Sequence, residues 1–267
     1  MTTTQPRPVA LITGASGGIG LELARLCAKG GHDVILVARN GPKLEELGKY
    51  LSGMYGVRSE VIVADLSEPG APRAILDEVA ARGMGVDVLV NNAGFGDWGL
   101  FGRGDLARQL SMIQVNIVAL TELTRLALPR MVTQRKGRIL NVASTAGFAP
   151  GPLMAVYYAT KAYVVSFSEA IGNELTGTGI SVTALCPGPT RTGFAAEAGM
   201  AGTNLFNSPN VMAVEPVALA GYRGMMRGKT LVVTGLANKL LIFGIRIGPR
   251  WLIVRITRWF QERRSED

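Results

Sequence analysis

Seven short apolar runs recur along this chain of 267 residues, and a stretch with helical spacing of apolar residues separates most successive pairs. The runs span residues 9–12, 34–37, 61–63, 86–90, 138–142, 180–185 and 231–233. They are rich in Val and Ile and apolar on both faces, as strands of a parallel sheet covered on both sides must be. Helical patterns lie near 18–30, 42–53, 71–82, 105–131, 155–176 and 215–227. Strand and helix in alternation, joined by right-handed crossovers, predict an α/β fold with a doubly wound parallel sheet of about seven strands. Residues 1–235 read as a single domain and residues 236–267 as an amphipathic, basic helical extension.

Hydrophobic residues make up 48% and charged residues 18%, which excludes disorder over most of the length. The net charge of +8 is concentrated in one place. Residues 216–261 carry eight basic side chains and no acidic one, and the rest of the chain holds 20 of each sign. No basic patch interleaved with aromatic residues lies outside that end, so nucleic acid is not an expected partner. Cys27 and Cys186 are far apart in sequence and His32 is the single histidine, so no metal site is expected. Residues 1–8 lack the apolar core of a signal peptide, and no apolar run reaches a membrane span of roughly 18 residues. The longest, 240–245, is bounded by Lys239 and Arg246. A cytoplasmic protein is expected.

Thr13-Gly14-Ala15-Ser16-Gly17-Gly18-Ile19-Gly20 follows the first strand and opens the first helix. Glycines there permit positive φ and close approach of backbone N–H groups to phosphate, while the helix N-terminus adds partial positive charge. In that position the turn signals a dinucleotide pyrophosphate site on a Rossmann-like fold, with Gly14, Ser16, Gly18, Ile19 and Gly20 against the cofactor. The second strand ends in Ala38-Arg39, where an NAD-binding chain usually carries an acid for the ribose hydroxyls. Arg39 there suits a 2′-phosphate, so NADP is the expected cofactor.

Tyr157 and Lys161 are four residues apart on one helix, and Tyr158 is three from the same lysine. A tyrosine titrates near pH ~10, and a neighbouring ammonium favours its phenolate, which adapts it to acid–base work. Ser144 follows the fifth strand, Asn91-Asn92-Ala93-Gly94 follows the fourth, and Pro187-Gly188 follows the sixth with Thr190 and Thr192 behind. Asn116 lies inside a helical pattern, where its amide competes for backbone groups and therefore suggests a specific task. Except for Asn116, these residues cluster at or beyond the carboxyl ends of strands, where open α/β sheets bind ligands.

These motifs, together with Asp65-Leu66, resemble the short-chain dehydrogenase/reductase family from residue 8 to about 235. The resemblance implies that Tyr157 is the general acid or base and that Ser144 polarises the carbonyl oxygen. It implies that Lys161 holds the nicotinamide ribose and lowers the tyrosine pKa, and that Asn116 positions a water in the proton relay. Asp65 would bond the adenine, Asn92 would line the cofactor cleft and Thr192 would reach the carboxamide. Leu66, Ala93, Gly94, Pro187, Gly188 and Thr190, with Tyr157 and Lys161 in a second role, complete the expected cofactor set. Hydride transfer with a small carbonyl or alcohol substrate is the implied reaction.

Residues 142–160 and 198–214 contain no formal charge, and Phe95, Trp98, Phe148, Met154, Phe194, Phe206 and Met212 are candidates for an apolar substrate wall. Gly199, Gly202 and Thr203-Asn204 suggest a mobile lid. A neutral ketone or aldehyde suits such a wall. A 3-oxoacyl-carrier reductase is the alternative, and a nucleotide-sensing regulator on the same fold ranks last because Ser144, Tyr157 and Lys161 are all present. Helices 105–131 and 155–176 carry more apolar surface than one sheet face covers, and the family commonly pairs them, so a homodimer or homotetramer is expected. In the extension, Pro249 suits a helix start. From there Leu252, Ile253, Ile256, Trp259 and Phe260 share one side of a helical wheel, and Arg250, Arg255 and Arg258 share the other. That pattern fits either packing on the protein or peripheral contact with a membrane through residues 236–264.

Overall fold

Seven parallel strands form one sheet in the order β3-β2-β1-β4-β5-β6-β7. They are β1 (Val9–Thr13), β2 (Asp33–Ala38), β3 (Ser59–Val63), β4 (Val88–Asn91), β5 (Gly137–Val142), β6 (Ile180–Cys186) and β7 (Leu231–Val233). The computed structural model describes residues 7–262, and the expectations that fall on 1–6 and 263–267 lie outside the described residues. The chain runs outward from β1 to β3, then crosses back to place β4 on the other side of β1. That reversal opens a crevice above the carboxyl ends of β1 and β4, where such sheets bind ligands.

The helices are α1 (Gly18–Lys29), α2 (Gly41–Tyr55), α3 (Ala71–Ala81), α4 (Leu106–Ile113), α5 (Leu120–Gln134), α6 (Ala155–Glu174), α7 (Phe194–Glu197), α8 (Val214–Met226), α9 (Leu236–Ile247) and α10 (Arg250–Gln261), of which α7 and, as a helix separate from α10, α9 are not expected from the sequence. Alternate residues of β1 face opposite sides of the sheet, as a period of two requires. Ala10 and Ile12 join Leu23, Leu44 and Val217 from α1, α2 and α8. Leu11 joins Ile75, Leu123 and Met131 from α3 and α5 on the other face. Both cysteine thiols are buried and free, and burial pushes each up to about 12, which leaves them inert at neutral pH.

Two features depart from the sequence reading. The stretch 105–131 is not one regular helix, because Gln114–Ala119 is a π-helical segment between α4 and α5. Such segments often mark functional sites, and this one holds Asn116. In the extension Pro249 does stand at a helix start, as expected, but an earlier helix precedes it. The extension thus forms two helices, with Pro249 extended at the start of the second (φ −66°, ψ 134°). No helix among the described residues is long and apolar enough to cross a membrane.

Candidate active site

A cleft of about 1380 Å³ runs along the carboxyl edge of the sheet from the glycine turn to α10. Its first end is built by the turn itself. Gly14 has φ +64° and Gly18 has φ +56°, both in the left-handed region that a side chain would strain. A Cβ on Gly14 would lie 2.8 Å from Asn92 Nδ2. Asn92 is in that position because its amide donates to the Thr13 and Gly14 carbonyls at 2.9 and 3.2 Å. Thr13 Oγ1 accepts the Asn92 and Ala93 amides, each at 3.0 Å. Thr13 and Asn92 therefore lock the turn onto the end of β4. The expected residues Gly14, Ser16, Gly18, Ile19, Asn92, Ala93, Gly94, Pro187, Gly188, Thr190 and Thr192 all line the cleft. Gly20 does not; it permits the close contact of α1 with the turn, where a Cβ would collide with Gly14 and Asn92.

Arg39 stands at the end of β2, exposed, with NH1 4.0 Å from Asp65 and NH2 3.6 Å from Glu197. Exposed pairs of this length contribute on the order of 0–1 kcal/mol and leave the guanidinium available to a stronger anion. Lys43, which sequence reasoning missed, lines the same end of the cleft, and its backbone amide is capped by Asn40 Oδ1 at 3.1 Å. Arg39, Lys43 and the N-terminus of α2 make this end electropositive. Asp65 and Leu66 face it. Burial opposes ionisation of Asp65, but the Ser67 amide and hydroxyl and Arg39 outweigh it and hold the carboxyl below its ordinary value.

Ser144, Tyr157 and Lys161 meet at the middle of the cleft. The Ser144 hydroxyl donates to Pro187 O at 3.4 Å and is held at the start of a 3₁₀ turn, where its oxygen accepts the Ala146 amide at 3.1 Å and faces the Tyr157 phenol. Lys161 Nζ donates to Val142 O at 2.8 Å and lies 5.7 Å from the Tyr157 ring centroid. Burial lowers the Lys161 ammonium to about 8. The tyrosine corrects a sequence expectation. Burial pushes its phenol up, the nearby Ser144 hydroxyl lowers it only partly, and Lys161 does not bring it down. At neutral pH Tyr157 carries its proton. Burial likewise pushes Tyr158 up to about 12, although its bond to Gln261 acts the other way.

Asn116 is almost fully buried and does not line the cleft. Its Nδ2 donates to Phe95 O at 3.0 Å and Thr160 Oγ1 at 3.1 Å, and its Oδ1 accepts the Phe95 amide at 3.2 Å. It clamps the loop after β4 onto α6.

The far end is apolar, and here the structure corrects the expected wall. Phe95, Met154, Phe194 and Phe206 line it, whereas Phe148 and Met212 pack into other clusters. Trp98 stands behind the wall, and its indole donates to Gln261 O at 2.8 Å. Sequence reasoning missed the roof: Leu241, Leu252, Ile253, Ile256 and Phe260 of α9 and α10 close this end. Gln261 Nε2 donates to the Tyr158 hydroxyl at 2.5 Å, and the Leu205 amide donates to Phe260 O at 3.0 Å, which ties the roof to the loop before α8. Arg108 at the rim pairs with Asp97 at 2.9 Å, so the wall is not wholly without charge.

The lysine has a consequence for stability. A lysine with a folded value near 8 binds fewer protons folded than unfolded up to its ordinary 10.5. Raising the pH through that window should stabilise the wild type by up to about 3 kcal/mol more than Lys161→Met. Urea unfolding of both proteins at the two ends of the window measures it, and equal pH dependence would contradict the burial of a charged lysine.

The short chain dehydrogenase family model matches residues 8–201. The ketoacyl reductase HetN of Nostoc sp. is 32% identical over 269 residues, covering 97% of this chain and 91% of its own. Among solved structures, a short-chain dehydrogenase from Sphingobium yanoikuyae in complex with NADPH is 35% identical with a TM-score of 0.80, covering 90% of this chain and 93% of that one. The bulky-bulky ketone specific alcohol dehydrogenase from Comamonas testosteroni is 30% identical with a TM-score of 0.76, covering 91% and 93%. With the sheet order, the glycine turn and the Tyr157–Lys161 helix in agreement, this chain belongs to the short-chain dehydrogenase/reductase family.

Proposed function

We propose that the protein is an NADP(H)-dependent oxidoreductase that reduces the ketone or aldehyde of a neutral, largely apolar substrate, or oxidises the corresponding alcohol. The observation that carries this reading is that the Ser144 hydroxyl, the Tyr157 phenol and buried Lys161 meet between an electropositive end and an apolar end of one cleft. The residues present fit the cofactor: glycines whose Cβ atoms would obstruct the turn, an arginine at the end of β2, and a buried ammonium whose one hydrogen bond among the described residues goes to Val142. Gly14, Ser16, Gly18, Ile19 and Gly20 would shape the pyrophosphate site, Arg39 would pair with the 2′-phosphate, and Asp65 and Leu66 would hold the adenine. Asn92, Ala93, Gly94, Pro187, Gly188, Thr190, Thr192 and Lys161 would enclose the nicotinamide end.

When bound, the cofactor supplies the hydride. Tyr157 delivers the proton from its hydroxyl to the carbonyl oxygen, and the Ser144 hydroxyl stabilises the charge that develops there. The phenol is protonated at working pH, so its proton is available for transfer, although burial makes it a weaker acid than a free tyrosine. Asn116 positions the loop that carries Ala93 and Gly94, and the family resemblance adds a relay water at this residue. The reading includes a cytoplasmic protein, a core of residues 1–235 with the extension 236–267, and peripheral membrane contact through 236–264. It also includes a homodimer or homotetramer, supported by the exposed Val118, Val132 and Tyr163 on the central helices.

The ketoacyl reductase relative favours a second reading, reduction of a 3-oxoacyl thioester. Comparing kcat/KM for an apolar ketone with that for the 3-oxoacyl thioester of equal carbon number separates the two. The first reading expects the free ketone to be favoured or equal; a preference of about 100-fold for the thioester would replace it with the second.

A further inference from the structure

The roof of the cleft has a second apolar face. On α9, Leu236, Leu240, Phe243 and Ile247 follow the 4-3-4 spacing of a single helix stripe, and each is 63–72% exposed. None of them lines the cleft, which is bounded from the same helix by Leu241, Gly244 and Ile245. α9 is therefore apolar toward the site and again toward solvent. Lys239 and Arg246, seven residues apart, run along one flank of the outer stripe. On α10, Trp251 lies on the face that carries Arg255 and Arg258, with Trp259 beside it, and both indoles are more than half exposed.

Resting on the reading of the site as one for apolar carbonyl compounds, we propose that the outer face of α9 and α10 docks on an anionic lipid surface, which sets the roof of the cleft against the bilayer that supplies the substrate. Charge selects this occupant. Residues 216–261 contain no acid, and among the described residues Lys239, Arg246, Arg250 and Arg255 form no ion pair; only Arg258 does, with Glu262 at 3.0 Å. A two-fold contact between copies would bring this basic face against itself. Anionic headgroups neutralise it, the stripe enters the acyl boundary, and the indoles sit at the headgroup level.

Co-sedimentation of the full chain with phosphatidylcholine vesicles, with and without phosphatidylglycerol, tests this. The expected result is at least about tenfold stronger partitioning to the anionic vesicles, weakening as salt rises, with a blue shift of tryptophan emission. Leu240→Ser/Phe243→Ser/Ile247→Ser alters only exposed side chains, so it should remain in the supernatant while retaining its turnover of a water-soluble ketone. Wild type that ignores anionic vesicles, or a triple variant that binds them undiminished, would overturn the proposal. So would a triple variant whose only change is a lower oligomeric state, which would identify the stripe as a subunit contact. Vesicle binding by a protein that reduces no carbonyl compound would support the docking surface and defeat the reading of the site instead.

Discussion

Tyr157→Phe is expected to lower kcat by at least about 100-fold while leaving NADPH binding unchanged. The substitution removes one hydroxyl from a ring that packs on Phe194 at 5.2 Å between centroids, so the wall survives and the proton donor is lost. Tyr158→Phe is the matched control. Its hydroxyl bonds Gln261 at the end of α10, so its loss should loosen the roof and raise KM severalfold with little change in kcat. That split follows from a neutral hydrogen bond contributing only about 1 kcal/mol. Steady-state kinetics of both variants measure it, and a larger kcat loss in Tyr158→Phe would reverse the assignment.

The second large effect concerns the cofactor. Ala38→Asp combined with Arg39→Leu is expected to change a preference for NADPH into one for NADH. A charge-assisted bond to phosphate contributes roughly 1.5–3 kcal/mol, or about 10- to 100-fold in the ratio of kcat/KM values. Lys43 at the same end of the cleft would keep some attraction for the 2′-phosphate, so adding Lys43→Ala should complete the change. Equal kcat/KM for the two cofactors in the wild type would remove the basis of the assignment.

The fold was legible because its signals are local. Strand residues such as Ala10 to Ile12 are apolar on both faces because both faces of the sheet are covered, and the glycines of the first turn stand where φ is positive. The residues at the centre of the cleft were legible for the same reason: each follows a strand end or opens a helix, so its place in sequence fixes its place on the sheet edge. Asn116 was half legible. A poor helix former inside a helical pattern marked an irregularity, but nothing in the spacing indicated a π segment or an amide spent on Phe95 and Thr160.

The roof was not legible. An amphipathic pattern says that one face is covered without saying by what. Leu252, Ile253, Ile256 and Phe260 of the expected apolar side turn to the cleft, while Trp259 turns outward. The contact of Gln261 with Tyr158 joins residues 103 apart, and no local signal predicts it. Phe148 and Met212 were misplaced for a related reason, since an aromatic or methionine beside a site packs equally well on the core behind it.

In the proposed reaction Tyr157 protonates the oxygen of a carbonyl compound reduced at the expense of NADPH. The direct measurement follows NADPH consumed and alcohol formed by the wild type and by Tyr157→Phe across a panel of apolar ketones and aldehydes. One alcohol per NADPH is expected for at least one compound, with at least about 100-fold slower turnover of that compound by the variant. No turnover of any member by the wild type, or equal turnover by the variant, would contradict it.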